Sequence, residues 1–145
     1  MIDFLPILRQ FILDDPDLTT HLASLNGSKN IFTRRPIPEA ADYQLIIINP
    51  PSADLDRDFL DKAFRDVTHN IIVYGNNDNS ENYRKVDETA FKLKNRFLRL
   101  TSAEMTLPSG YSFVRANSIG PFSAPTDDLT KVAKAVSVTI SYMEE

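Results

Sequence analysis

The 145-residue chain contains no cysteine and no tryptophan, and it has only two histidines and four glycines. The lack of cysteine excludes disulfides, thiolate zinc sites and cysteine nucleophiles together. The histidines are His21, in a presumed helix, and His69, in mid-strand, and no paired nucleophile motif such as GxSxG accompanies them. A lone histidine on an apolar strand face is ordinarily a hydrogen-bonded structural residue rather than a catalyst. Neither a P-loop nor a dinucleotide fingerprint is present. A large charge of one sign is also missing: 16 basic and 20 acidic residues, a net −4, are intermixed along the chain. That balance offers no broad footprint for binding nucleic acid. Long apolar runs are absent, Leu45 to Ile48 being the longest, against the roughly 20 residues a membrane helix needs. Asp3 stands where a signal peptide would carry bases. The expectation is a soluble, unexported chain, long enough to bury about 70% of its unfolded surface and to fold as one domain, 1–145, without metal or cofactor.

What is present is periodic. Phe4, Leu8, Phe11 and Ile12 share one helix face, and Asp14-Asp15-Pro16 ends that helix because a residue before proline avoids the α region. Asp15 as N-cap and Pro16 at N1 predict a second short helix through Leu18, Leu22 and Leu25, stopping at Gly27. Residues 28–42, with two prolines and no period, read as an irregular connection, and YQLIIIN as the first strand. ADLDRDFLDKAF reads as an acidic loop with one helical turn. In the strand from about Asp66 to Tyr74, Val67, His69, Ile71 and Val73 alternate with Thr68, Asn70, Ile72 and Tyr74.

The period then switches. Tyr83, Val86, Ala90, Leu93, Phe97 and Leu100, widened by Phe91 and Leu98, predict a long helix laid across a core. Its acids come early and its bases late, as the helix dipole favours. The hinge GNNDNS needs only local reasons: Gly75 leaves the strand, and Asp78, Asn79 or Ser80 caps the helix. Strands at 111–117 and 132–142 close the chain. The expected architecture is α+β, with helices on one face of an antiparallel sheet of about four strands, in the order ααββαββ.

Chemistry is sparse. Asp54, Asp56 and Asp58 have the 1, 3, 5 spacing of a calcium loop, but Phe59 stands where glycine must turn the chain and Arg65 where a bidentate glutamate is needed. No catalytic, cofactor-binding or metal set can be assembled, and the chain reads as a non-enzyme. Arg34 and Arg35 could grip a phosphate or a partner carboxylate. IFTRRPIPEA and SIGPFSAPTDD hold Ile31, Phe32 and Ile37, and Ile119 and Phe122, among prolines. Apolar side chains in stiff loops suit contact with another subunit, or packing onto their own core. Arg34, Arg35, Ile37, Ile119 and Phe122 are thus candidates for a subunit interface.

The ordered pattern FILDDPDLTTHLASLNGSKNIFTRRPIPEAADYQLIIIN, then RDVTHNIIVYGNN, the helix SENYRKVDETAFKLKNRFLRL and the closing YSFVRANSIGPFSAPTDDLTKVAKAVSVTISYME resembles the tail completion, or tail terminator, proteins of tailed phages and prophages. The resemblance covers nearly the whole chain. It departs from the family in a longer acidic insertion and a longer 118–131 linker. It implies a structural virion protein that assembles in the host cytoplasm and works in the virion tail. Copies would self-associate into a ring, commonly a hexamer, that caps the tail tube protein at its head-proximal end and docks the head connector protein. DNA would pass through without sequence-specific contacts. The alternative from the residues alone is a non-catalytic adaptor or regulatory α+β module, with a small-molecule enzyme further behind.

Overall fold

A computed structural model describes residues 2–59, 62–126 and 128–144. Helix α1 (Phe4–Leu13) starts where the Asp3 carboxylate accepts from Leu5 N at 3.0 Å. Asp15 caps α2 (Pro16–Thr19) in the same way. The chain then forms a two-stranded hairpin of β1 (Ser24–Leu25) and β2 (Ser28–Lys29), turned by Asn26 and Gly27 at φ 53° and 80°. β3 (Ile31–Phe32) lies parallel to β4 (Leu45–Ile48), and β5 (Ala53–Phe59) forms an antiparallel pair with β6 (Lys62–Asn76). Helix α3 (Ser80–Leu98) leads to β7 (Tyr111–Ser123) and β8 (Lys131–Glu144). The main sheet has the order β3-β4-β6-β8-β7, with β5 beside β6 beyond the end of β4.

The fold is α+β, and all three helices contribute to one apolar cluster on one face of the sheet. Val67, Ile71 and Val73 of β6 and Val136, Val138 and Ile140 of β8 point into it, meeting Phe4, Leu8 and Ile12 of α1 and Val86, Ala90, Leu93 and Phe97 of α3. Burying one such side chain contributes about 1.5–3 kcal/mol. The helix-free face carries a cross-strand ladder instead. Asp66 pairs with Ser141 at 2.5 Å, Thr68 with Thr139 at 2.8 Å and Asn70 with Ser137 at 2.5 Å. β4 is buried at all four positions, so both its faces are covered. Ile46 and Ile48 meet the helices, while Ile47 lies in a small cleft with Ile37, Tyr43, Tyr74 and Pro125 on the other face.

The sheet departs from the expected four strands and ααββαββ order, and each departure has a local cause. Asn26-Gly27 is the dipeptide that fits a two-residue hairpin turn, so the second helix ends at Thr19 rather than reaching Gly27. The stretch read as an irregular connection gives β2 and β3, and β3 adds a parallel pair. ADLDRDF is not a loop with a helical turn: its backbone pairs with β6 from Ala53↔Thr68 to Phe59↔Lys62. The rest of that expected loop at Leu60 and Asp61 lies outside the described residues. β7 runs on through residues 118–123, which the sequence assigned to a linker, by accommodating an irregularity between Ile119 and Phe122. The hinge caps as expected, with Asn79 Oδ1 accepting from Asn82 N at 2.8 Å. Gly75, however, remains inside β6, where a Cβ would collide with the Val86 side chain of α3. It is a packing glycine, not a turn glycine.

Candidate functional site

The segment 33–44 is held at both ends. Asn30 is buried, and its side-chain amide donates to the Asp42 carbonyl at 2.9 Å. Its backbone links Ala23 to Ile46. Arg34 and Arg35 are exposed on this segment but diverge. Arg34 lines a cleft of about 360 Å³ with Arg9, Lys29 and Phe32, whereas Arg35 lines the cleft over Ile47. They do not form one anion grip. Ile37 is half-buried in the second cleft.

The β7–β8 connection reaches the same place. The Asp128 carboxylate accepts from Thr130 N at 2.9 Å and from its hydroxyl at 2.7 Å, and the hydroxyl bond is the first cause holding that carboxyl below its usual range. Lys131 donates to Asn76 at 2.6 Å and sits 4.1 Å from the centre of the Tyr43 ring. The fold thus brings the two proline-bearing segments together, Arg35 and Ile37 from one and Pro125, Thr126 and Asp128 from the other. Ile119 and Phe122 stand nearer the margin, on β7. Their partners Ser137 and Ala135 place them on the helix-free face, 56% and 51% exposed.

The titratable residues singled out from the sequence are dispersed. His69 is wholly buried, its Nδ1 2.8 Å from the Asn49 carbonyl and its ring edge-on to Phe4. Burial pushes its pKa down, against smaller upward effects from that carbonyl and from Asp3. His21 Nε2 lies 3.4 Å from Glu88. Asp54 pairs with Arg65 at 3.2 Å, and the Asp56 and Asp58 side chains lie outside the described residues. Among the described residues, no group of three His, Asp or Glu could hold a metal.

The sides of α3 differ. Toward α2, Glu88 meets Lys92 at 3.2 Å and Arg84 at 3.4 Å, Lys92 reaches Asp17 at 3.3 Å, and Arg96 pairs with Asp15 at 3.1 Å and with Glu104. The Lys92 hydrogen bond is the first cause lowering the Glu88 pKa. The β7 side carries Phe91 and Leu98, 50% and 45% exposed. The sequence had placed both in the core stripe. Both fall outside the arc of Val86, Ala90, Leu93 and Phe97, a signal visible in their spacing.

A chain of a gene transfer agent virion has this fold. The structure, described as the virion of a native gene transfer agent particle, matches with a TM-score of 0.70, covering 96% of this chain and 93% of that one. Identity is 12%, so the likeness is one of fold. No family model and no curated protein matches the sequence. The virion chain and this one thus share an architecture over nearly their full lengths.

Proposed function

We propose that the protein is a structural component of a phage-like particle, and that within it the chain is a tail terminator. The observation that carries the reading is the fold shared almost end to end with a chain of a gene transfer agent virion. The tail-specific role rests on the sequence resemblance. In this reading copies close into a ring, six in number, on the head-proximal end of the tail tube. The ring stops tube growth and docks the head connector, DNA passes through it, and no chemical step is involved. A ring needs heterologous contacts in which one patch meets a different patch on the next copy. Arg34, Arg35, Ile37, Ile119 and Phe122 are proposed to contribute, as exposed or half-exposed groups on pinned backbone whose ordering at an interface costs little entropy.

The test is deletion of the gene in its parent element, complemented by wild type, Phe122→Asp or Arg35→Glu. Deletion should leave filled heads unjoined and tails of unregulated length by electron microscopy, with wild type restoring joined particles. Normal particles without the gene would refute the assignment. Full rescue by both folded variants would remove those residues from the interface.

A further inference from the structure

Eight large apolar side chains stand exposed among the described residues, and five border one strand. Val114, Ile119 and Phe122 lie on β7. Phe91 and Leu98 flank Lys94 on α3, whose carbonyl accepts a hydrogen bond from Ser118 of β7 at 2.6 Å. The outer margin of β7 from Phe113 onward pairs with no strand among the described residues. It therefore combines open backbone groups with apolar side chains above and below, a combination that invites another strand. Neither β7 nor the helix stretch FKLKNRFL contains an acid, and Lys94 and Arg115 belong to this border; Asp87, one turn earlier on α3, is paired with Lys134 at 3.7 Å.

The opposite margin of the same sheet is shared by two strands: β3 covers β4, and β5 stands beside β6 beyond the end of β4. β5 pairs with β6 on one side and with no described strand on the other, and its Leu55 is 59% exposed. Its sequence, ADLDRDF, holds three carboxylates and one guanidinium. The strand directions also agree. β5, β6, β8 and β7 alternate antiparallel, so two copies in the same orientation bring β7 of one against β5 of the next antiparallel. A four-strand repeat extends without a clash of direction, and because the two margins differ, the contact is heterologous and can close.

We propose that the copies join edge to edge, with residues 113–117 of β7 in one subunit adding to β5 of the next, short of the level that β3 occupies. This rests on the ring reading above and specifies its joint. The absence of cysteine gives a clean test. Asn117 aligns across the sheet with Thr139, Thr68 and Ala53, and Leu55 is two residues along β5 on the same face. Within one copy the two sites are three strand spacings apart across the sheet and two residues apart along it, roughly 16 Å, too far for a bridge by bis-maleimidoethane.

The double variant Leu55→Cys with Asn117→Cys is assembled on purified tail tubes and treated with that reagent. Denaturing electrophoresis should show a ladder of covalent oligomers ending at the ring size, whereas each single variant should stop at dimer. Circular dichroism must match wild type; if it does not, Ala53→Cys with Val114→Cys takes its place. Rings visible by electron microscopy without a ladder beyond dimer would overturn the edge joint and leave the ring reading standing. If the wild-type chain also forms no closed oligomer on the tubes, the ring reading fails and the joint with it.

Discussion

Phe97→Ala tests the central packing claim. Phe97 is fully buried in the helix–sheet cluster, with its ring centre 5.2 Å from that of Phe11 on α1. It therefore ties α3 to α1 as well as to the sheet. Truncation removes the transfer free energy of the ring and leaves a cavity between two helices and the strands beneath, which together cost about 3–5 kcal/mol. For a domain of this size each kcal/mol lowers the melting midpoint by roughly 2–4 °C, so a fall of about 6–20 °C is expected. The neighbouring Leu98 provides the control, because it is 45% exposed; Leu98→Ala should change stability by no more than about 0.5 kcal/mol. The assay is paired thermal and urea unfolding followed by circular dichroism. Equal losses for the two variants, or an unchanged midpoint for Phe97→Ala, would mean that α3 presents another face to the sheet.

Gly75→Ala should cost about 1–3 kcal/mol through overpacking against Val86, visible as a lower urea midpoint, and the double variant with Val86→Ala should lose less than the sum of the two single changes. Asn79→Ala removes the cap of α3 and should cost about 1 kcal/mol, while Asn79→Asp should retain most of the stability. His69 gives a pH signature. Its folded pKa lies below the ordinary 6.5, so above that pH the ring is neutral in both states and contributes no slope. As the pH falls through 6.5 the unfolded chain takes the proton first, and stability declines until the folded pKa is reached. His69→Gln should flatten the urea midpoint as the pH falls below about 6.5; parallel decline in both proteins would refute this.

Much of the frame was legible because periodicity reports burial directly. The alternation in β6 and β8 and the Val86–Phe97 arc of α3 each match a buried face. The misses share a different origin. β5 is held by backbone pairing to β6 and has no apolar alternation of its own, so its acidic sequence resembled a loop. β3 is two residues long, and parallel pairing to β4 is a long-range event without local trace. Proline in SIGPFS argued against a strand, yet an edge strand tolerates proline where no ladder donor is required. The candidate interface was legible only as composition. Its prolines and arginines are apparent in the chain, but the meeting of 33–44 with 124–131, and the divergence of Arg34 from Arg35, depend on the sheet order.

The position of β8 has a consequence for biosynthesis. It is the last strand in sequence but lies inside the sheet, joined on one side to β6 and on the other to β7. Its cross-strand ladder with β6 joins residues 67 to 75 positions apart, with α3 and β7 between them. Pairing of such range is slow to close. A ribosome that has delivered everything up to the β7–β8 turn has therefore delivered strands whose common neighbour is still missing. A chain shortened before Lys131 would not merely fray at its margin: β6 and β7 would have no strand joining them, and the floor beneath α3 would be lost. Only a translated β8 unites β6 and β7 in one sheet.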